Sequence, residues 1–253
     1  QGGINATHTG NPAFDTGDFN DENPGNLRVD YVLPSEDLNI TDAQVFWSET
    51  DRGFDDLVVF GDSYSDTGNV FNLSGQLFPP SPPYFEGRLS NGPLWVDILA
   101  EELSLEDDDI QNFAFLGARS DREVFIPPNL GLDPNIGSQF PGLLDQIDQF
   151  SATTGGNGAD PDDLYFVWLN GNDFQNIDLN NLGEVQTAVT SFFDNISTAV
   201  TSLANLGAEK IVVPNVIDLG LLPQAIDAGI SQQGTIGAVA VNQLLSNALF
   251  SLE

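Results

Sequence analysis

From Phe54 onward, short apolar runs alternate with helix-length segments, and this texture constrains the fold more than any other property of the chain. Residues 57–60 (Leu-Val-Val-Phe) form an uninterrupted apolar run that ends at Gly61. Apolar residues at helical spacing follow over 94–103, at Leu94, Val96, Ile98, Leu99 and Leu103. The stretch 111–116 is strand-like and stops at Gly117, and 164–169 is another strand, preceded by Asp160-Pro161. An amphipathic helix is expected over 185–206 with Gly207 as its C-cap, then a strand over 210–216 and a helix over 238–252. Strands with no polar alternation are strands covered on both faces. Alternating with helices, they predict βαβ units around a parallel sheet.

The front of the chain reads differently. Residues 1–26 are rich in Gly, Asn, Asp, Thr and Pro and have no hydrophobic period, which is loop composition. Two short apolar runs, 27–33 and 43–47, are too little for an independent core. The expected division is therefore an N-terminal extension or linker over 1–53, with one or two short strands, and an α/β domain over 54–253.

Charge narrows the partners. Thirty-eight acidic side chains face six basic ones, for a net charge of −32. Six scattered cations cannot neutralise a run of phosphates, so neither nucleic acid nor an anionic membrane surface is an expected partner. Such a chain repels itself in dilute buffer and is best tolerated where salt screens it. A halophilic or marine source fits, as does an unusually acidic secreted protein. There is no cysteine and a single histidine, His8, so disulfides, thiolate metal sites and imidazole metal clusters are not expected. No apolar run reaches membrane-spanning length. The chain opens on Gln-Gly-Gly without a signal peptide and reads as processed, or cut from something longer.

The stretch Gly61-Asp62-Ser63-Tyr64-Ser65-Asp66-Thr67-Gly68-Asn69 lies just past the first strand. Ligands of an open parallel sheet sit beyond the carboxyl ends of its strands. A helix starting there would aim backbone N–H groups at the Ser63 oxygen, as a nucleophile needs. From composition alone, Asp62 and Ser63 serve equally well as ordinary helix caps.

These residues resemble the first block of the GDSL, or SGNH, family of serine esterases and lipases. Gly87-Arg88-Leu89-Ser90-Asn91-Gly92 resembles the family's Gly-Arg-Phe-Ser-Asn-Gly segment, and Asn112-Phe113-Ala114-Phe115-Leu116-Gly117-Ala118 its second block. Asn170-Gly171-Asn172-Asp173 is similar to the third block, and Val213-Pro214-Asn215-Val216-Ile217-Asp218 to the segment after the fourth strand. The resemblance implies a three-layer α/β/α sandwich with a flavodoxin-like parallel sheet, incomplete at its C-terminus. It implies carboxylic-ester hydrolysis without a cofactor on a small ester or lipid, in an extracellular or periplasmic protein. It makes Ser63 the nucleophile, with the Ser63 and Gly117 N–H groups and the Asn172 amide as oxyanion donors. As an Asx-turn residue after a strand, Asn172 has a plain structural reading too.

Two positions depart from the family pattern: Leu116 replaces the first of a paired glycine, and Asn170 stands where the third block has its glycine. A larger departure is the base. The family's Asp-x-x-His segment is absent, and His8 lies 55 residues before Ser63. Asp66, Asp121 and Asp173 are nearby carboxylates, weak bases at an ordinary pKa of about 4. The expectation is a fragment whose further segment, or a second chain, supplies the histidine and its aspartate; the alternative is a binding or structural module of a larger secreted protein.

Three minor features complete the reading. Arg28-Val29-Asp30-Tyr31 within 3–47 resembles a strand near the end of endonuclease/exonuclease/phosphatase domains, with Asp30 as an orienting aspartate. Glu106-Asp107-Asp108-Asp109 and Asp160-Pro161-Asp162-Asp163 offer oxygen ligands for Ca²⁺ but lack an EF-hand pattern and read as solvated surface. The Pro-rich stretch 78–85 either lines the substrate pocket or runs over the surface.

Overall fold

Four parallel strands occupy the centre of the domain, in the order β2-β1-β3-β4. They belong to a computed structural model that describes residues 54–250 apart from 129, 179 and 180. His8, Asp30 and the expected division at residue 53 lie outside the described residues. Strand β1 is Leu57–Gly61, β2 Ile110–Asn112, β3 Leu164–Trp168 and β4 Lys210–Val212. Between them run α1 (Asn69–Leu73), α2 (Trp95–Glu102), α3 (Pro134–Gly137), α4 (Leu143–Thr153) and α5 (Leu182–Leu206). Helices α6 (Pro223–Asp227) and α7 (Ser231–Phe250) follow β4.

The central strand explains its own sequence. Leu57, Val58, Val59 and Phe60 are all wholly buried, because β1 has a neighbour on each edge and a helical layer on each face. Val58 and Phe60, with Tyr165 and Val167 of β3, pack against Leu143, Ile147 and Phe150 of α4. On the same face lie Phe192, Ile196, Ala199 and Leu203 of α5 and Val241 and Leu245 of α7. Leu57 and Val59 point the other way, onto Val96 of α2 and the half-buried Trp95 and Leu99. The fold is thus an α/β/α sandwich with the flavodoxin-type strand order.

The expected elements are present with shifted ends. Helix α5 starts three residues earlier than its apolar period, because Asn181 caps it by accepting the N–H groups of Gly183 and Glu184. It ends at Gly207, whose φ of 115° only glycine adopts freely. Strand β2 is shorter than its apolar run, since the Asn112 side chain turns to donate to Ser65 and Thr67 of the loop after β1. Helix α7 begins at Ser231, well ahead of the expected 238.

Every described cation meets a carboxylate: Arg88 with Asp97, Arg119 with Glu123, Arg122 with Asp145 and Asp148, and Lys210 with Asp162. The pairs of Arg119, Arg122 and Lys210 are largely exposed, and such pairs contribute about 0–1 kcal/mol each, whereas Arg88 and Asp97 are mostly buried. With 38 acidic side chains against six basic ones, carboxylates mostly face other carboxylates and repel, and at about 1 M salt the screening length falls to roughly 3 Å. Salt should therefore stabilise the protein. Raising NaCl from low concentration to about 1 M is expected to increase the melting temperature; a decrease would show that attractive pairs dominate.

Candidate active site

In the order β2-β1-β3-β4 the chain reverses its winding direction between β1 and β3, and their carboxyl ends open the crevice where such sheets bind ligands. The register puts Gly61 opposite Trp168, so the loops after β1 and β3 leave the sheet side by side. Gly61 has no room for a side chain: a Cβ would lie 2.4 Å from the Trp168 carbonyl oxygen. Ser63 follows β1 by two residues, Asn172 follows β3 on a short 3₁₀ turn, and Gly117 lies on the loop after β2.

Three hydrogen bonds tie these three loops pairwise. The Asn170 N–H donates to Asp62 Oδ2 at 2.9 Å, joining the β3 loop to the β1 loop. The Leu116 N–H donates to Asp66 Oδ2 at 3.1 Å, joining the β2 loop to the β1 loop. The Asn172 amide donates to the Ala118 carbonyl at 3.0 Å, closing the triangle. Ser63, Gly117 and Asn172 are thereby brought to one end of the sheet.

Two backbone N–H groups differ from their surroundings. Neither the Ser63 N–H nor the Gly117 N–H has an acceptor among the described residues, whereas the N–H groups of Tyr64, Ser65, Asp66, Leu116 and Ala118 all do. Buried or half-buried N–H groups are rarely left unpaired without cause. Gly117 holds φ 77°, and a Cβ there would meet the Phe125 carbonyl oxygen at 2.3 Å, so glycine is obligatory. Asn172 carries two N–H groups, of which the bond to Ala118 uses one. Ser63 also lines a narrow cleft together with Asp66, Val70, Phe78, Pro79, Gly87, Leu89 and Leu116. Of the Pro-rich stretch, Phe78 and Pro79 thus reach the pocket.

Both departures from the family pattern have structural roles. Leu116 keeps its N–H engaged with Asp66 and adds an apolar wall to the cleft. Asn170 is 1% exposed, and besides binding Asp62 it accepts the Ile217 N–H through Oδ1, which ties in the loop after β4.

The three nearby carboxylates are committed elsewhere. Asp66 accepts the N–H groups of Gly68, Asn69, Val70 and Leu116. Asp173 accepts from the Ser120 N–H and hydroxyl, and Asp121 from the Glu123 N–H. Burial pushes Asp66 and Asp173 upward in pKa, against these hydrogen bonds. The acidic runs outside the site cap their own turns: Asp109 accepts the Glu106 N–H and Asp160 the Asp162 N–H. Among the described residues no three His, Cys, Asp or Glu side chains gather as metal ligands. Nor is any described helix long and apolar enough to cross a membrane.

Asp62, beside Ser63, is perturbed in the same direction as Asp66 and Asp173. Burial raises its pKa from 3.8 to about 6; the N–H groups of Tyr64 and Asn170 and the Asn170 side chain oppose the shift, and the Asp173 charge adds to it. A carboxyl that holds its proton more tightly when folded stabilises the fold fully below pH ~4, and that contribution is lost as pH rises through about 6. The difference is worth roughly 3 kcal/mol. Unfolding measured from pH 7 to pH 4.5 should show stability rising as pH falls, with a smaller rise in Asp62→Asn. An equal rise in the variant would move the effect to other carboxyls.

The model of the GDSL-like lipase/acylhydrolase family matches residues 57–249. A phosphatidylcholine-sterol acyltransferase of Aeromonas hydrophila is 32% identical over 196 residues, 77% of this chain and 54% of that protein. A GDSL esterase/lipase of Arabidopsis thaliana is 28% identical over 67% of this chain and 51% of its own length. Lipase 1 of Photorhabdus luminescens is 29% identical over 72% of this chain and 25% of its own length. The chain thus spans about half the length of the first two relatives. With a parallel sheet in this order, the loops that end its strands, and a family match over most of its length, the chain belongs to the GDSL-like lipase/acylhydrolase family.

Proposed function

We propose that the domain carries out carboxylic-ester hydrolysis with Ser63 as nucleophile. The observation that carries this reading is the pair of unpaired N–H groups, of Ser63 and Gly117, on loops tied to Asn172 at the mouth of the sheet. Ser63 Oγ attacks the ester carbonyl carbon, and its proton passes to a base. The carbonyl π electrons move to oxygen, where the two N–H groups and the Asn172 amide hold the negative charge. Collapse expels the alcohol, which takes up the proton, and water then releases the acid from the acyl-serine.

The base is not among the described residues. The sequence has one histidine, His8, and the described carboxylates near Ser63 already accept hydrogen bonds. We assign the base to a further segment or a second chain. The apolar lining of the cleft by Val70, Phe78, Leu89 and Leu116 suits the acyl part of a small ester or lipid. An extracellular or periplasmic location belongs to the same reading.

The absence of a described base is also what favours a second reading, an inactive binding or structural module. A fluorophosphonate distinguishes the two when applied to protein expressed from its complete reading frame. An adduct mapped to Ser63, and lost in Ser63→Ala, supports the hydrolase. A chain that stays unlabelled and leaves short-chain nitrophenyl esters intact sinks it.

A further inference from the structure

Helix α4 presents Leu143, Gln146, Ile147 and Phe150 to the sheet, and all four are buried. Three of these are core side chains. The fourth is a neutral amide with no exposed surface, placed where an apolar residue would complete the stripe. Its partners explain it. Gln146 Oε1 accepts the Gly61 N–H at 2.9 Å, and Gln146 Nε2 donates to the Gly61 carbonyl at 2.9 Å. Nε2 also approaches the Pro141 carbonyl at 3.4 Å, at the entry of α4.

The place where this happens is the end of β1. The Phe113 N–H donates to the Val59 carbonyl and the Phe115 N–H to the Gly61 carbonyl, so the chain after β2 still runs beside β1. The Gly61 N–H, however, finds its acceptor in Gln146 rather than in that neighbouring backbone. The side-chain amide therefore acts like one peptide unit of an additional strand, pairing with both polar groups of one residue. Only Gln and Asn offer a donor and an acceptor in that arrangement, and Asn is one methylene shorter. On the other side Gly61 is pressed against the Trp168 carbonyl, so the residue has little freedom to shift.

We propose that Gln146 is a positioning residue for the Ser63 nucleophile, acting through Gly61. It holds the two peptide groups that flank Gly61, immediately before Asp62 and Ser63. Downstream, the Asp62 carboxylate anchors the same turn to Asn170 and to the Tyr64 N–H. Ser63 thus sits between two fixed points, with its N–H unengaged. This inference rests on the hydrolytic role proposed for Ser63, but the clamp itself is testable apart from it.

The test uses Gln146→Met, which keeps the length and the apolar volume but loses both bonds, and Ile147→Ala, which opens a void on the same helix face and touches neither bond. Amide hydrogen exchange and nitrophenyl-ester kinetics are measured for both in the complete protein. In Gln146→Met the Gly61 amide should exchange about tenfold faster or more, with Leu57 and Val58 unchanged. Its kcat should fall about 10–100-fold at nearly constant KM, the size expected for a reacting group displaced by less than an ångström or so. Ile147→Ala, at a comparable loss of melting temperature, should retain kcat. Unchanged Gly61 exchange overturns the clamp whether or not the protein hydrolyses esters. Faster exchange with a kcat loss no larger than that of Ile147→Ala overturns the positioning role. A wild-type protein without Ser63-dependent hydrolysis would instead remove the proposed function, and with it the role for the clamp in positioning a nucleophile.

Discussion

Ser63→Ala is expected to lower kcat for ester hydrolysis by about 10⁶-fold while leaving the melting temperature nearly unchanged. The first half follows from removing the atom that forms the acyl bond in the proposed mechanism. Alanine keeps the backbone N–H at position 63, so the oxyanion donors survive, and a small residual rate above that of water should persist. The second half follows from the fold. The Ser63 hydroxyl makes no hydrogen bond among the described residues, and its side chain is only half-buried, so nothing structural depends on it. Ser65, two residues on, provides the contrast. It is wholly buried, and its hydroxyl accepts from the Trp95 indole at 3.1 Å, so Ser65→Ala should cost stability in the range of one hydrogen bond, ~1 kcal/mol. Its effect on kcat should be small beside that of Ser63→Ala. Kinetics and thermal unfolding of the two variants side by side separate the chemical serine from the structural one. A Ser63→Ala protein that still hydrolyses esters at the wild-type rate would end the acyl-enzyme reading.

The legible parts of this chain are those set by local chemistry. A strand packed between two helical layers must be apolar on both faces, which is why 57–60 announces β1, and why the glycines at 61 and 117 mark the ends of two apolar runs. The edges are less legible. Strands β2 and β4 are shorter than their apolar runs because Asn112 is drawn into the neighbouring loop and Pro214 cannot supply a ladder N–H. Helix α4 escaped the sequence reading altogether. Its stripe of Leu143, Ile147 and Phe150 is broken by Gln146, and that interruption is the residue the end of β1 uses. A polar residue at a core position of a helical period was the available signal. The loop ties are a different matter. Asp62 meets Asn170 across 108 positions, Asp66 meets Leu116 across 50 and Asn172 meets Ala118 across 54, and no local pattern encodes such pairings. Motif resemblance points to Ser63, Gly117 and Asn172 one by one; only the sheet order explains why the loops that carry them leave the same end of the sheet.

Asn172→Ala should reduce kcat by about 10²–10³-fold with little change in KM, the loss measured when one oxyanion donor is removed elsewhere. Two consequences of the substitution act together. It deletes the side-chain N–H proposed to face the oxyanion, and it deletes the bond to the Ala118 carbonyl, which steadies the residue next to Gly117. If Asn172 were only a turn residue, alanine would lower stability and spare the chemistry. Asn172→Asp sharpens the distinction. It preserves the size but, like alanine, loses the bond to the Ala118 carbonyl, so a purely structural residue would lose stability in both variants and keep its kcat in both. In the proposed mechanism it replaces a donor with a negative charge beside a developing anion, and should be at least as damaging as alanine. The comparison is made on kcat, KM and melting temperature for both variants. Asn172→Asp with near wild-type kcat would remove Asn172 from the oxyanion site, leaving the Ser63 and Gly117 N–H groups as its only proposed donors.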